Sequence, residues 1–503
     1  MHAGVVETGS RRELFVDPSL LDRAENARLV LHHPQPAEVA LVCDRPWETE
    51  GPGYPTVLYA DGLYRMYYRA APSKECSDLD QRQCTCYAES RDGIIWHKPE
   101  LGLFEFNGST RNNIIWQGVL SHNFTPFLDT RPDCPEEERF KAVGGCCAEW
   151  GGENLVALAS PDGIHWRKMG NRALPLNGQF DSQNVVFRDE VRRVYRAFWR
   201  KWRAEGSRIP PGRDICAAVS EDFENWTELG FLDYQPNRSG SLEPDRGDDP
   251  SGDHHQLYTN NIQPCPAAPH ILIGLPARYC DRGWTVSTDS LPDLDERREM
   301  AGRNIAGGRP TRLGTALWDT LLMASLDGRT FHVWPEAFVR PGIQRRGNWF
   351  YGQAGCAWGI VETPSCFASA PPELSLYVTD NARVNEPGRL RRFTLRPHGF
   401  VSAYAPLTGG TITTRAFIFD GNRLEINFSS SAGGRLRVEI QEPDGKPLPG
   451  FSLDDCHMQY GDQLDRIVSW KCGADVGSIA GRPVRLRIEI KDADIFAFRF
   501  FTV

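Results

Sequence analysis

The feature that most constrains this chain is a short box that recurs along it. The four copies are Ser90-Arg-Asp-Gly-Ile-Ile-Trp96, Ser160-Pro-Asp-Gly-Ile-His-Trp166, Ser220-Glu-Asp-Phe-Glu-Asn-Trp226 and Ser325-Leu-Asp-Gly-Arg-Thr-Phe331. Self-similarity of this kind marks a repeat architecture. Ser and Asp side chains bond the backbone of a tight turn, Gly supplies positive φ, and the aromatic anchors the returning strand between neighbouring sheets. Each box therefore reads as a strand-turn-strand hairpin.

Ahead of each box lies a second hairpin, in which alternating aromatic and aliphatic residues flank an Asp- or Gly-rich turn: Thr56 to Tyr68, Phe124 to Val143, Val185 to Trp199 and Leu257 to Tyr279. A fifth runs from Cys356-Ala-Trp-Gly-Ile-Val-Glu362 to Glu373-Leu-Ser-Leu-Tyr-Val-Thr379, with Arg389 to Leu395 in place of the box. Two hairpins make one four-stranded blade, so five pairs imply a five-bladed β-propeller. A ring of blades needs closing, and Glu13 to Val16 and Ala27 to Leu31 are candidate N-terminal strands for the last blade. From about Ala403 the pattern changes to short alternating runs, among them Thr411 to Phe419, Arg423 to Phe428, Arg435 to Gln441, Arg466 to Trp470, Val484 to Ile490 and Ile495 to Phe500. These predict an antiparallel β-sandwich. The expected fold is all-β: a propeller over residues 1–402 followed by a sandwich over 403–503.

Composition agrees and excludes other classes. The 503 residues include 14 Trp, 14 Tyr, 25 Phe and 47 Gly, which favour strands and turns. A net charge of −9 without Lys/Arg runs gives no surface for nucleic acid. No stretch is long and apolar enough to span a bilayer, and Met1 to Glu13 lacks the apolar core of a secretory signal, so the expectation is a cytoplasmic chain. The 14 cysteines are scattered without a Cys-x-x-Cys pair, as for buried free thiols. His254 and His255 are adjacent, so on an extended segment they face opposite ways and do not share an ion. No metal or cofactor is indicated.

On the boxes, the five hairpin pairs and the C-terminal β-domain, the chain resembles the five-bladed propeller glycoside hydrolases, the superfamily of the invertase and inulinase and the arabinanase and xylosidase families. The Trp-Met-Asn-Asp-Pro start of an invertase and its Arg-Asp-Pro motif are absent, which implies a divergent or separate family. Some members hold a structural cation in the channel. The resemblance implies catalytic carboxylates where innermost strands begin, around a central funnel, here near Tyr54, Asn123, Asp181, Tyr258 and Gln353.

Glycoside cleavage by this route needs two carboxyl groups, one to protonate the leaving oxygen and one to attack or activate water. Asp181 begins the third inner strand, where the resembling families place their acid; an Asp capping its own loop is the structural alternative. Glu48 and Glu50, just before the first inner strand, are the candidates for base or nucleophile, or else solvated loop charges. Tyr54, His122, Asn123, Asn184, His255, Tyr258, Asn260 and Tyr351 supply the amides, imidazoles and phenols a sugar site requires.

Three second strands end in arginine, at Arg69, Arg200 and Arg278, on the face where the inner strands start. They hold either an anionic sugar or the carboxylates themselves. The expected partner is therefore a carbohydrate, and the expected activity hydrolysis of a glycosidic bond. Phosphorolysis or transglycosylation on the same scaffold, or sugar binding without catalysis, are the alternatives.

Overall fold

A computed structural model describes residues 5–72, 83–146, 154–203, 212–236, 256–306, 312–381 and 387–503. His255, one of the expected sugar contacts, lies outside them, as does His254.

The hairpins pair as five antiparallel blades. In blade 1 the strands are Gly53–Ala60, Leu63–Ala70, Cys84–Ser90 and Ile114–Gln117, and in blade 2 Thr125–Leu128, Phe140–Gly144, Val156–Ser160 and Arg167–Ala173. Blade 3 comprises Val185–Asp189, Val194–Arg203, Gly212–Ser220 and Thr227–Phe231. Blade 4 is built on Gln263–Cys265, Ala268–Gly274, Ala316–Ser325 and Thr330–Val339, with Ala277–Asp281 continuing its second strand and Asp233–Pro236 added in parallel at its outer edge. Blade 5 consists of Val361–Thr363, Glu373–Asp380 and Arg389–Leu395, and its outer strand, Gln35–Val42, comes from the N-terminal part of the chain.

The ring is closed by an N-terminal strand, as expected, but by a different one. Arg12–Leu14 and Arg28–Leu31 pair instead with Arg485–Phe501 and Val401–Ala405, and Leu21–Glu25 pairs with Gly410–Thr414. By pairing, most of the first thirty-one residues belong with the C-terminal domain. Leu29 and Leu31 are buried in its core, whereas the closing strand needs only a half-exposed outer face.

The boxes explain how blades hold one another. Ser90 Oγ accepts from the Gly93 amide, Asp92 accepts from the amides of Ile94 and Ile95, and the Trp96 indole donates to the Gly93 carbonyl. The copies at Ser160, Ser220 and Ser325 repeat the Ser–Asp turn. Each turn then docks on the preceding blade. Tyr377 of blade 5 donates to the Gly93 carbonyl, Arg65 of blade 1 to Asp162, and Arg196 of blade 3 to Asp327. The turn requires positive φ, 77° at Gly163, and a Cβ there would stand 2.6 Å from the Tyr67 hydroxyl. In the third box Phe223 occupies this position at φ 71° and fills the contact with its ring, 5.8 Å from Phe127 and 5.1 Å from Tyr195.

The C-terminal domain is all-β, antiparallel in its main sheet with Val6–Gly9 paired in parallel to Phe417–Phe419, but its expected short runs fuse. Arg423–Gln441 is one strand with an irregularity between Ser430 and Arg435, and Arg485–Phe501 is another. They pair along their length within one eight-stranded sheet. Its core is continuous with that of blades 4 and 5 through Ile273, Trp334, Phe338 and Leu376. The strand pattern does not announce the helix Leu294–Ala306, inserted in blade 4. No helix among the described residues is long and apolar enough to cross a membrane.

Candidate active site at the inner-strand mouth

The axis of the ring is filled rather than open. Gln183 of blade 3 donates to the Pro55 carbonyl of blade 1 at 3.1 Å, and Trp358 of blade 5 donates from its indole to Ile262 of blade 4 at 2.7 Å. These bonds divide the axis into two mouths. At the mouth where the inner strands begin, Glu50, Gly53, Tyr54, Arg69, Gln183, Thr259, Trp318, Tyr351 and their neighbours enclose a cavity of about 70 Å³.

Tyr54 is the hub of this mouth. It adopts φ 45°, its hydroxyl donates to the Asp181 carbonyl at 3.1 Å, and the Arg69 guanidinium lies 4.7 Å from its ring centre. Arg69 reaches this place because residue 53 is glycine: a Cβ there would stand 2.8 Å from Arg69 Nε. Arg69 also donates to the His122 carbonyl at 3.3 Å, and His122 Nδ1 lies 3.0 Å from Gln83 Oε1.

The candidate carboxylates separate. Asp181 is part-buried at this mouth, and Arg200, on the second strand of the same blade, donates to its carboxylate. Glu50 lines the cavity, and its Oε1 is buried without a hydrogen-bond partner. Glu48, two residues earlier, is fully buried away from the cavity. Its oxygens accept from Tyr68 at 2.6 Å, from Lys98 at 2.6 Å and from the Arg45 amide, so it fixes the loop that carries Glu50. Alternate side chains of an extended loop point opposite ways only over one step, but the Glu48-to-Gly51 turn bond at 2.8 Å reverses the chain and turns Glu50 aside.

Among the expected polar contacts, the amides are structural. Asn123 bonds the carbonyls of Phe180 and Ser182 and accepts from the Gly145 amide. Asn184 donates to Phe180 at 3.0 Å and to Ser182 at 2.9 Å, and Asn260 donates to Phe198 at 3.1 Å. All three are buried and tie loop to loop. Arg278 is engaged by Asp319 with a fork of two bonds and does not line the cavity. Of these three arginines, two therefore hold carboxylates, and the third, Arg69, has no carboxylate partner among the described residues.

Tyr258 and Tyr351 form an aromatic wall with Tyr279 and Trp318, the Tyr258 and Trp318 ring centres being 4.6 Å apart and those of Trp318 and Tyr351 5.1 Å. Tyr258 lies between two guanidinium groups, Arg200 at 4.8 Å and Arg213 at 5.0 Å. Arg213 is also stacked 4.3 Å from Tyr279 and 4.9 Å from Trp202. Burial lowers its pKa from the usual arginine value, and the neighbouring Arg200 acts in the same direction. Sequence reading did not single out Gln183, Arg213 or Trp318. Gln183 sits between Asp181 and Asn184, so the inner-strand rule reaches it. Arg213 and Trp318 lie on a third and a fourth-blade strand that the rule does not cover.

The opposite mouth is wider, about 1020 Å³, and is bordered by Phe127, Phe187, Trp358, Ile360, Glu362 and Phe367. Among the described residues lining it, Glu362 is the one carboxylate. The chemistry-bearing groups gather at the smaller mouth.

No family model matches the chain, and no curated protein matches it. Among solved structures it is similar to an N-acetylgalactosamine deacetylase from F. plautii, at 13% identity over 73% of this chain and 94% of that chain, with a TM-score of 0.43. It is similar to a β-fructofuranosidase of Bombyx mori at 10% identity over 94% of this chain and 95% of that chain, with a TM-score of 0.39. A structure from the mannoside phosphorylase family containing hydrolases of β-1,2 mannosidic linkages in Candida mannan matches at 14% identity over 72% of this chain and 93% of that chain, with a TM-score of 0.39. At these identities and scores the likeness is one of general strand arrangement and assigns no chemistry; the five-bladed propeller itself rests on the strand pairing described above.

Proposed function

We propose that this protein is a carbohydrate-active enzyme that hydrolyses a glycosidic bond at the inner-strand mouth, with Asp181 and Glu50 as its carboxyl pair. The observation that carries the reading is their setting: Glu50 lines the cavity with Tyr54, Trp318 and Tyr351, and the Tyr54 hydroxyl bonds the backbone carbonyl of Asp181, whose carboxylate is held by Arg200. Aromatic faces cover the C–H surface of a sugar while carboxyl groups act on its glycosidic oxygen.

The roles differ from the order expected from resemblance. A guanidinium favours the ionised form of the carboxylate it touches, so Asp181, held by Arg200, suits the base or nucleophile. Glu50, with an oxygen free of hydrogen bonds, is then the proton donor. Glu48, with both oxygens bonded, takes no part in the reaction.

The test is a screen of the full chain against neutral and acidic glycans and aryl glycosides, with Asp181→Asn, Glu50→Gln and Glu48→Gln alongside. Cleavage should fall about a hundredfold to ten-thousandfold in the first two variants. An aryl glycoside with a good leaving group should restore part of the Glu50→Gln loss, because it needs no proton. Full activity in Asp181→Asn, or no cleavage of any substrate by the unmodified chain, would sink the reading.

A further inference from the structure

The aromatic cluster beside this mouth holds donors without acceptors. Trp318 is more than nine-tenths buried, and its Nε1–H has no hydrogen-bond partner. The same holds for Nε of Arg200 and Nε of Arg213. All three belong to one aromatic cluster, since Tyr258 contacts Trp318, Arg200 and Arg213. Arg69 adds a guanidinium on the cavity wall with no carboxylate partner among the described residues.

Arg and Trp side chains donate and never accept, so no rearrangement among them satisfies one another. A buried donor left unpaired is costly, and a buried cation without a counter-ion more so. Asp181 answers Arg200 alone. Arg69 and Arg213 are left, in a chain whose net charge is −9. Surplus cation and surplus donors in one place describe a ligand that is negative and accepts only.

We infer that the mouth binds an oxyanion carried by the substrate, with Arg69 and the Trp318 indole N–H as its contacts, and that its source is the carboxylate of a uronate-type sugar. The inference rests on the proposed glycosidase reading and names its substrate class. Arg69 and Trp318 line the same cavity, so an acidic substituent entering it meets the guanidinium and the indole together. Arg213, behind Tyr258, raises the positive potential of that wall from a second side. Free phosphate presents the same acceptor chemistry, so the experiment separates the two.

The experiment is calorimetric titration of the full chain with D-glucuronate and D-galacturonate, each against its neutral hexose, and with inorganic phosphate, for the unmodified protein, Arg69→Gln, Arg69→Lys and Trp318→Phe. Circular dichroism confirms that each variant is folded. Uronates should bind at least about tenfold more tightly than the neutral hexoses. Arg69→Gln should abolish the preference, Arg69→Lys should keep part of it, and Trp318→Phe, which retains a ring but loses the N–H, should weaken it several-fold.

Equal binding of acidic and neutral sugars by the unmodified protein overturns the proposal, as does a preference that survives in folded Arg69→Gln. Arg69-dependent binding of phosphate without uronate preference overturns the uronate source and leaves phosphorolysis. Cleavage of neutral glycosides with no uronate preference removes this subsite and leaves the hydrolase reading intact. Arg69-dependent uronate binding with no cleavage of any glycoside does the reverse.

Discussion

Arg200 and Asp181 stand nineteen residues apart in sequence, on the second strand of blade 3 and in the loop that opens it, and the guanidinium donates to the carboxylate at the mouth of the propeller. Arg200 is itself buried against Tyr258, so the pair is held on one side by a ring and on the other by the strand. If Asp181 acts ionised, this cation sets the lower end of the working pH range. In Arg200→Gln the ionised form loses its partner, the Asp181 pKa rises, and the acidic limb of kcat/KM moves up by about 1–3 pH units. Arg200→Lys, which keeps the charge, should move it less. A pH–rate profile checks this, and an unmoved limb in Arg200→Gln would remove Asp181 from the ionised role.

Asp129 follows the first strand of blade 2, and its carboxylate accepts from the Arg131 amide at 3.2 Å, as a turn residue does. It accepts from Lys141 at 2.6 Å and from Tyr195 at 2.6 Å, in a buried group linking blades 2 and 3. Burial pushes its carboxyl up, but the bonds from Lys141 and Tyr195 outweigh this and hold it below its ordinary 3.8. The stabilisation is therefore complete above pH about 4 and is lost as pH falls through the folded-state value. Asp129→Asn leaves buried Lys141 with only the Glu138 carboxylate at 3.9 Å as counter-charge and should cost about 3 kcal/mol at neutral pH, measured by urea denaturation.

His398 works with the opposite charge and the same sign. Burial, reinforced by the Arg12 cation, pushes its pKa down to about 3 from 6.5. The folded protein keeps it neutral while the unfolded chain takes up a proton below pH 6.5. Stability is then full above that pH and falls by up to about 1.4 kcal/mol per pH unit on the way down to about 3. His398→Asn tolerates the positive φ of 60° and removes the titration. Its denaturation midpoint should depend less on pH between 6.5 and 4 than that of the unmodified protein.

The box position makes a paired prediction. Gly163→Ala meets the Tyr67 hydroxyl at 2.6 Å in a backbone region unfavourable to side chains, and should destabilise by about 1–3 kcal/mol. Phe223→Gly, which restores the common box residue, should also destabilise, by about 2–4 kcal/mol, because it empties the space between Phe127, Tyr195 and Trp226. Thermal denaturation of both variants decides it. A stabilised Phe223→Gly would show that backbone strain, not packing, dominates there.

The sequence by itself determined the blades. Ser, Asp, Gly and aromatic residues at fixed offsets act within a few residues, so the four boxes and the hairpins before them are legible as local turn chemistry, and counting them yields five blades. It also marked the mouth of the proposed site, since inner strands and their preceding loops follow from the hairpin order, and Asp181, Tyr54, Arg69 and Tyr351 stand at that mouth.

Tertiary structure decided what depends on partners distant in the chain. Gln35–Val42 rather than Ala27–Leu31 closes the ring, a choice made by pairing with Arg389–Leu395 and by burial against the C-terminal sheet. Glu48 and Glu50 are the same residue type two positions apart, and only the place of Lys98 and Tyr68 makes one a buried anchor and leaves the other in the cavity. Arg69, Arg200 and Arg278 read alike in sequence; Asp181 and Asp319 claim two of them, and the third lines the cavity with no carboxylate partner among the described residues. Turn formation is local and is written in adjacent residues, whereas charge pairing and burial are settled by neighbours that only the closed ring brings together.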